Sequence, residues 1–152
     1  MLENSEVETR YQALVSKFRA REYRITPQRL AILRLLAEST DHPSAGRIYQ
    51  ELYDRFPTMS LATVYKTLSV LKEMGEVFEL SLGEGENRYD GHNAVPHPHV
   101  ICTRCGKILD SDVVLHEDVI AAAAKASGFQ ILSHRLDLYG VCPECQQAES
   151  GE

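Results

Sequence analysis

No stretch of this 152-residue sequence is apolar for long. The longest clusters, LAILRLLA and VIAAAA, fall well short of the ~18–20 residues that cross a bilayer, so no membrane partner is expected. The opening MLENSEVE is acidic and lacks an apolar core, which argues against a secretory signal, and the expected location is the cytoplasm. Repeats and low-complexity tracts are absent. Signatures of catalysis are missing too. His116-Glu117 is followed by Asp-Val-Ile rather than by the second histidine of HExxH, and the HxE with PCxxC of a zinc deaminase does not occur. There is no nucleophile elbow and no phosphate-binding glycine loop, since GEGEN reads better as a turn between strands. The chain is therefore not expected to be an enzyme.

Positive charge is scarce overall but unevenly spread. The net charge is −6 with a pI of about 5.5, which taken globally argues against a nucleic-acid binder. Residues 1–82 carry 11 Lys/Arg against 11 Asp/Glu, whereas residues 83–152 carry 5 against 11, so the whole deficit lies in the second half. Between Lys17 and Arg34 six basic side chains (Lys17, Arg19, Arg21, Arg24, Arg29, Arg34) face a single acid, Glu22. Such a strip can meet phosphate, or it can be a solvated helix face; charge alone leaves both open.

The first half is helical in pattern. A helix is expected from about residue 6 to 22. ITPQRLAILRLLAES offers Thr26 as N-cap and Pro27 at the first helical position, with Leu30, Leu33, Leu36 and Ala37 on one face. HPSAGRIYQELYDRF has Ser44 as cap, with Ile48, Leu52 and Phe56 in line. MSLATVYKTLSVLKEMG has Ser60 as cap, core positions Leu61, Val64, Leu68 and Leu71, and Gly75 as a stop. This leaves Thr63, Tyr65, Lys66 and Thr67 facing outward. VFELSLGEGENRYDG then reads as strand, turn, strand. Helices followed by a hairpin give the order of a winged helix-turn-helix. The predicted fold class is α+β: a winged-helix domain over 1–90, a linker over 91–96 broken by glycine and proline, and an α/β domain over 97–152. Within that last domain a strand (HVICTRCGKILDS), a helix from about Leu115 to Ala126 and a strand (FQILSHRLDLYGVC) are expected, with QQAESGE as a loose tail.

Cysteine occurs four times, as Cys102, Cys105, Cys142 and Cys145, in two CxxC pairs 36 residues apart. In a cytosolic chain this reads as a four-thiolate structural zinc site, each knuckle presenting two sulfurs. The competitors are a redox pair and an iron–sulfur cluster. A redox CxxC opens a helix after a strand, which neither pair is expected to do. His97 and His99 precede the first knuckle. If the chain is extended there, they share one strand face and Cys102 lies on the other, which separates them from the thiolate set. Asp90, Asp110 and His42 are further ligands of the same class, and imidazoles with carboxylates suit Fe(II) or Mn(II) better than a thiolate cage does. Two surface histidines are the plainer reading of HxH.

Taken together, RITPQRLAIL, HPSAGRIYQEL, MSLATVYKTLSVL, NRYDG, HPHVICTRCGKILD and HRLDLYGVCPEC, in this order, resemble the ferric uptake regulator superfamily of metal-dependent repressors. The resemblance runs from about residue 10 to 147. It implies a dimerisation role for the carboxy-terminal domain, a homodimer, and double-stranded operator DNA as partner. It also implies a structural zinc at the four cysteines and a regulatory metal, Fe(II) or Mn(II), held by His42, Asp90, His97, His99 and Asp110. The family's recognition helix matches Ser60 to about Met74, which makes Ser60, Thr63, Tyr65 and Lys66 expected DNA contacts; Arg24 would touch the backbone or minor groove. In the iron-uptake type the acids matching Asp90 and Asp110 are usually glutamate. A further site there uses positions matching Pro96, Pro98, Glu117 and His134, and the two prolines leave it incomplete. Both departures resemble the peroxide-sensing branch, in which a histidine matching His42 or His97 is oxidised. Hydrogen peroxide is then the one small molecule, besides metal ions, that the chain would meet. The alternative is a regulator of iron, zinc or manganese uptake.

Overall fold

The computed structural model describes residues 4–81, 85–92, 97–113 and 117–150. The chain divides into two compact units, Met1–Ala94 and Val95–Glu152. Residues 93–96 of the expected linker, Gly83 and Glu84 of the expected hairpin turn, and Leu115 at the expected helix start lie outside the described residues.

In the first unit four helices, α1 (Asn4–Ala20), α2 (Pro27–Glu38), α3 (Ala45–Tyr53) and α4 (Leu61–Glu73), precede an antiparallel hairpin of β1 (Phe78–Leu80) and β2 (Arg88–Asp90). This is the winged helix-turn-helix order. Three helices begin at the hydroxyl caps foreseen: Thr26 Oγ1 accepts from Arg29 N at 3.2 Å, Ser44 Oγ from Arg47 N at 3.1 Å and Ser60 Oγ from Thr63 N at 3.2 Å. Leu14, Phe18, Ile32, Leu33, Leu36, Ile48, Val64, Leu68 and Leu71 fill the interior. Two side chains depart from expectation on α4. Leu61, expected in the core, is exposed, because as the first helical residue it has no preceding turn of the unit over it. Thr67, expected to face outward, is fully buried and donates Oγ1 to Thr63 O at 2.8 Å. It lies three residues after Val64 and four before Leu71, on the stripe that packs inward.

The end of α4 sets up the strongest polar link in this unit. Gly75 takes φ +73°, the left-handed turn that closes a helix, and Glu76 N returns to Leu71 O at 2.9 Å. Glu76 thereby comes under α1 with its side chain 6% exposed. Arg10 Nη1 donates to Glu76 Oε2 at 2.8 Å, Arg10 Nη2 to Glu76 O at 2.8 Å, and Arg10 Nε to Gly91 O at 2.9 Å, while Lys17 donates to Glu76 Oε1. One arginine thus ties α1 to both ends of the hairpin.

In the second unit a three-stranded sheet has the order β4-β3-β5. Its strands are β3 (His99–Cys102), β4 (Ile108–Asp110) and β5 (Asp137–Gly140); β3 pairs antiparallel with β4 and parallel with β5. Helices α5 (Glu117–Ser127) and α6 (Pro143–Ser150) complete it. HVICTRCGKILDS is thus two strands and a tight turn. The expected long strand over 129–142 shrinks to Asp137–Gly140, since β3, its pairing partner, begins only at His99, opposite Asp137. The expected loose tail is instead helical from Pro143, whose ring presets the first helical φ and whose missing N–H costs a helix start nothing.

Burial alone pushes the Glu76 carboxyl up, but hydrogen bonds from Lys17 and then Arg10 outweigh it and hold the group below its ordinary value of 4.5. A carboxyl lowered by folding adds stability that is complete above its unfolded value and is lost as pH falls through the lower, folded one. Glu76→Ala is expected to cost about 3 kcal/mol at pH 7, by leaving Arg10 without its partner. It should also flatten the loss of stability below pH 4.5, read from urea melts between pH 3 and 7. Equal acid sensitivity of variant and parent would remove Glu76 from this role.

Candidate metal centres

The knuckle at the end of β3 is made by backbone bonds. Cys102 N donates to Lys107 O at 2.8 Å and Gly106 N to Cys102 O at 3.0 Å, with Gly106 at φ +78°, a value other residues rarely adopt. Thr103 N reaches Gly140 O at 2.9 Å and so docks the knuckle on the end of β5. Two residues on, Cys142 precedes α6 and Cys145 lies in its first turn, with Gln146 N donating to Cys142 O at 2.9 Å. The second CxxC does therefore open a helix after a strand, contrary to expectation. The sulfur positions decide the chemistry. Cys102 and Cys145 Sγ are 3.8 Å apart, Cys105 and Cys142 Sγ 3.7 Å, and all four lie within 4.8 Å of one another. These contacts run between the two pairs, and all four cysteines are free thiols. A tetrahedron with zinc–sulfur bonds of about 2.3 Å has edges of about 3.8 Å, so these thiols fit a four-thiolate zinc site.

Their electrostatics favour a cation. Backbone hydrogen bonds from Cys105 and then Cys142 bring the Cys102 thiol down to about 6. Its neighbour Cys142, followed by burial, pushes the Cys145 thiol up to about 12. The first thiolate forms readily and the last forms only against the charge of its neighbours, a cost that a divalent ion removes.

The nitrogen and oxygen donors form two groups, one in each unit. In the first unit His42 Nε2 lies 3.2 Å from Asp90 Oδ2, and both side chains are buried. His42 stands in the loop between α2 and α3 with φ 54°, an uncommon backbone state for a residue with a side chain. Strand β2 holds it there. Arg88 donates Nε to His42 O and Nη2 to Asp41 O, and Tyr89 N donates to Pro43 O at 2.9 Å. The same strand carries Asp90, whose Oδ1 accepts from His92 N at 3.3 Å. Arg88, in the NRYDG segment of the hairpin, was not singled out from the sequence; its neighbours Asn87 and Asp90 gave no sign that its target was a loop far back in the chain.

In the second unit the antiparallel register places His99 opposite Asp110. His97 Nε2 lies 3.1 Å and His99 Nε2 3.6 Å from Asp110 Oδ1, and the two rings are 4.5 Å apart. A single carboxylate oxygen faces two imidazoles, the arrangement of a mixed nitrogen–oxygen donor set. On the far side of His99, Asp137 Oδ1 approaches Nδ1 at 3.4 Å. Asp137 was missed as well, for only the pairing of β3 with β5 brings it there.

Among the expected DNA contacts, Tyr65 and Lys66 are exposed on α4, Tyr65 to 45%, and Thr63 is half-buried. Ser60 is exposed, but its hydroxyl is engaged in capping. Arg24 is exposed before α2, and its carbonyl accepts from Arg29 Nη1 at 2.8 Å.

The sequence profile of the Ferric uptake regulator family matches residues 20–139. Over 133 residues the chain is 42% identical to the peroxide-responsive repressor PerR of Staphylococcus epidermidis, covering 88% of each chain. It is also similar to the structure of PerR from Streptococcus pyogenes, at 38% identity and a TM-score of 0.52, over 90% of this chain and 92% of that one. A zinc uptake regulator solved with zinc and DNA shares 27% identity and a TM-score of 0.70, over 97% of this chain and 99% of that one.

The purified chain should carry one zinc that resists dilute chelator. Cys142→Ser should lose it together with the structure of the second unit, read by metal analysis and by the exchange of its amide hydrogens. A zinc-free variant with unchanged protection would show the thiolates to be dispensable for folding.

Proposed function

The chain belongs to the ferric uptake regulator family, whose members regulate transcription rather than catalyse reactions, and we propose that it is a peroxide-sensing repressor. In this reading the groups His42/Asp90 and His97/His99/Asp110 complete a single regulatory site for Fe(II) or Mn(II). The observation that carries it is the pairing of each acid with a histidine, Asp90 with His42 at 3.2 Å and Asp110 with His97 at 3.1 Å, in a chain without a fifth cysteine. Two aspartates and three imidazoles are harder donors than thiolates and select the metals that meet peroxide. The 42% identity to a peroxide-responsive repressor supports the same branch.

Each unit contributes what its own strands hold. Arg88 and β2 keep His42 and Asp90 in place in the first, and the β3–β4 register keeps His97, His99 and Asp110 in the second. An ion held by both groups would shift the population of conformations, and affinity for DNA would follow that population. Fe(II) held by these donors would supply redox activation of peroxide, which Mn(II) on the same donors would not. In the net change hydrogen peroxide would give one oxygen to the ring of His42 or His97 and leave as water. An oxidised imidazole is a poorer donor, the link is lost, and operator DNA is released.

The partner in this reading is a second copy of the chain. Leu109, Val100 and Leu138 form one exposed apolar row across β4, β3 and β5, and α5 has no buried side chain among the described residues. Phe129 and Leu132, between α5 and β5, are 71% and 86% exposed. Apolar area of this kind, beside a small sheet, is what a homodimer covers. The winged helices of such a dimer would present Tyr65, Lys66, Thr63, Ser60 and Arg24 to duplex DNA, at half-sites about one helical turn apart or a multiple of it. A regulator of this kind works in the cytoplasm, where the operator is. The zinc uptake relative, solved with zinc and DNA, makes metal-uptake control the second reading.

Two experiments bear on this. Operator binding by the Fe(II)-loaded protein should be lost after peroxide, with a gain of one oxygen on His42 or His97 by mass spectrometry, while the Mn(II)-loaded protein keeps its binding. Loss of binding with cysteine oxidation alone would overturn the mechanism, and indifference to peroxide would favour uptake control. Lys66→Ala should weaken operator binding by about tenfold, the equivalent of ~1.4 kcal/mol, and leave Mn(II) affinity unchanged; full operator binding would strike Lys66 from the interface.

A further inference from the structure

We propose that Asp137 is a positioning residue for His99: it takes the ring's Nδ1 proton in a hydrogen bond and thereby directs the Nε2 lone pair at the regulatory metal. The inference rests on the reading of His99 as a ligand given above.

Three observations carry it, all within the second unit. The parallel pairing of β3 with β5 sets Asp137 in register with His99, and His99 N donates to Leu136 O at 3.2 Å beside it. The two residues are therefore fixed by backbone bonds and not by chance side-chain contact. Next, the imidazole lies between two carboxylates of different function. Nε2 faces Asp110 Oδ1 at 3.6 Å, on the side shared with His97, and Nδ1 faces Asp137 Oδ1 at 3.4 Å on the other. A neutral imidazole carries one N–H and one lone pair, so a proton held at Nδ1 leaves Nε2 free to coordinate.

The third observation is the state of the Asp137 carboxylate. Its side chain is only 15% exposed. Oδ2 accepts from Arg135 Nε at 2.7 Å, while Oδ1 is buried and has no hydrogen-bond partner at normal distance. A buried carboxylate oxygen without a donor is costly, and the donor aimed at it is His99 Nδ1. At 3.4 Å the separation is ~0.2 Å beyond the upper end of the range for such a bond. Arg135 is half-exposed and accounts for Oδ2 alone; a surface pair of this kind would hold just as well with the carboxylate turned away from the ring.

A carboxylate behind a ligating histidine does two things. It selects one tautomer and one ring orientation, and it raises the basicity of the coordinating nitrogen. Asp137 would thus set how tightly the sensing site holds its metal without touching it.

The test uses the full-length, zinc-containing protein and Mn(II) as the probe. Asp137→Ala and the near-isosteric Asp137→Asn are expected to weaken Mn(II) binding by about 10- to 100-fold, while Asp137→Glu restores most of the affinity. Zinc content and melting temperature should stay those of the parent, and the visible spectrum of Co(II) in the regulatory site should shift in Asp137→Asn, which a merely structural role would not cause. His99→Ala is the reference. Mn(II) affinity unchanged in Asp137→Asn but lost in His99→Ala would overturn this inference and leave the regulatory site standing. Mn(II) affinity unchanged in His99→Ala would overturn the site reading, and this inference with it.

Discussion

The approach of four sulfurs to within 4.8 Å of one another is the constraint on which the second unit depends. Among its described residues only His99, Ile101, Cys102 and Ile108 are buried, too little apolar area for a small domain to offset its chain entropy. Cys102 ends the β3 strand and Cys105 lies in the turn after it, while Cys142 and Cys145 follow β5, so joining them clamps together the two strands that carry His99 and Asp137. Beyond the β3–β5 pairing, Thr103 N on Gly140 O and Cys142 N on Cys102 Sγ at 3.3 Å also join the two cysteine segments. The strands that carry His99 and Asp137 thus lead directly to the four sulfurs.

In the first unit apolar packing does the same work. Its interior is continuous from α1 to α4, and the Arg10–Glu76 link fastens the hairpin to α1. The hairpin in turn holds the left-handed loop at His42 through Arg88 and Tyr89. A residue kept at φ 54° by bonds from another strand is a residue whose side chain has few alternatives. Both halves of the proposed sensing site follow one pattern: a histidine on a loop or strand end, a carboxylate on the paired strand, and a backbone bond that sets the register between them.

Much of this was legible in the sequence because it is local. Thr26, Ser44 and Ser60 cap helices through atoms three residues away, and CxxC fixes the separation of two sulfurs whatever surrounds them. Errors arose where a short-range pattern met a long-range partner. Thr67 reads as polar and outward until the stripe from Val64 to Leu71 is packed. CPEC reads as the end of a strand until Pro143 starts a helix, and the residues from 129 to 136 read as strand although β3 begins too late to pair with them.

Ligand chemistry, the two cysteine pairs and the order of helices before strands were determined by the sequence itself, since each follows from residue type and spacing along the chain. Which carboxylate stands behind which imidazole was decided only by the fold. Asp110 and Asp137 flank His99 from opposite sides because β4 and β5 lie on either side of β3, with both registers pairing that residue with an aspartate. Glu76 is likewise an ordinary acid in the sequence and becomes a buried partner of Arg10 only when Gly75 turns the chain beneath α1. Such pairings join residues far apart in the chain, and no local pattern carries them, because their energy comes from desolvation that exists only after the strands and helices have met.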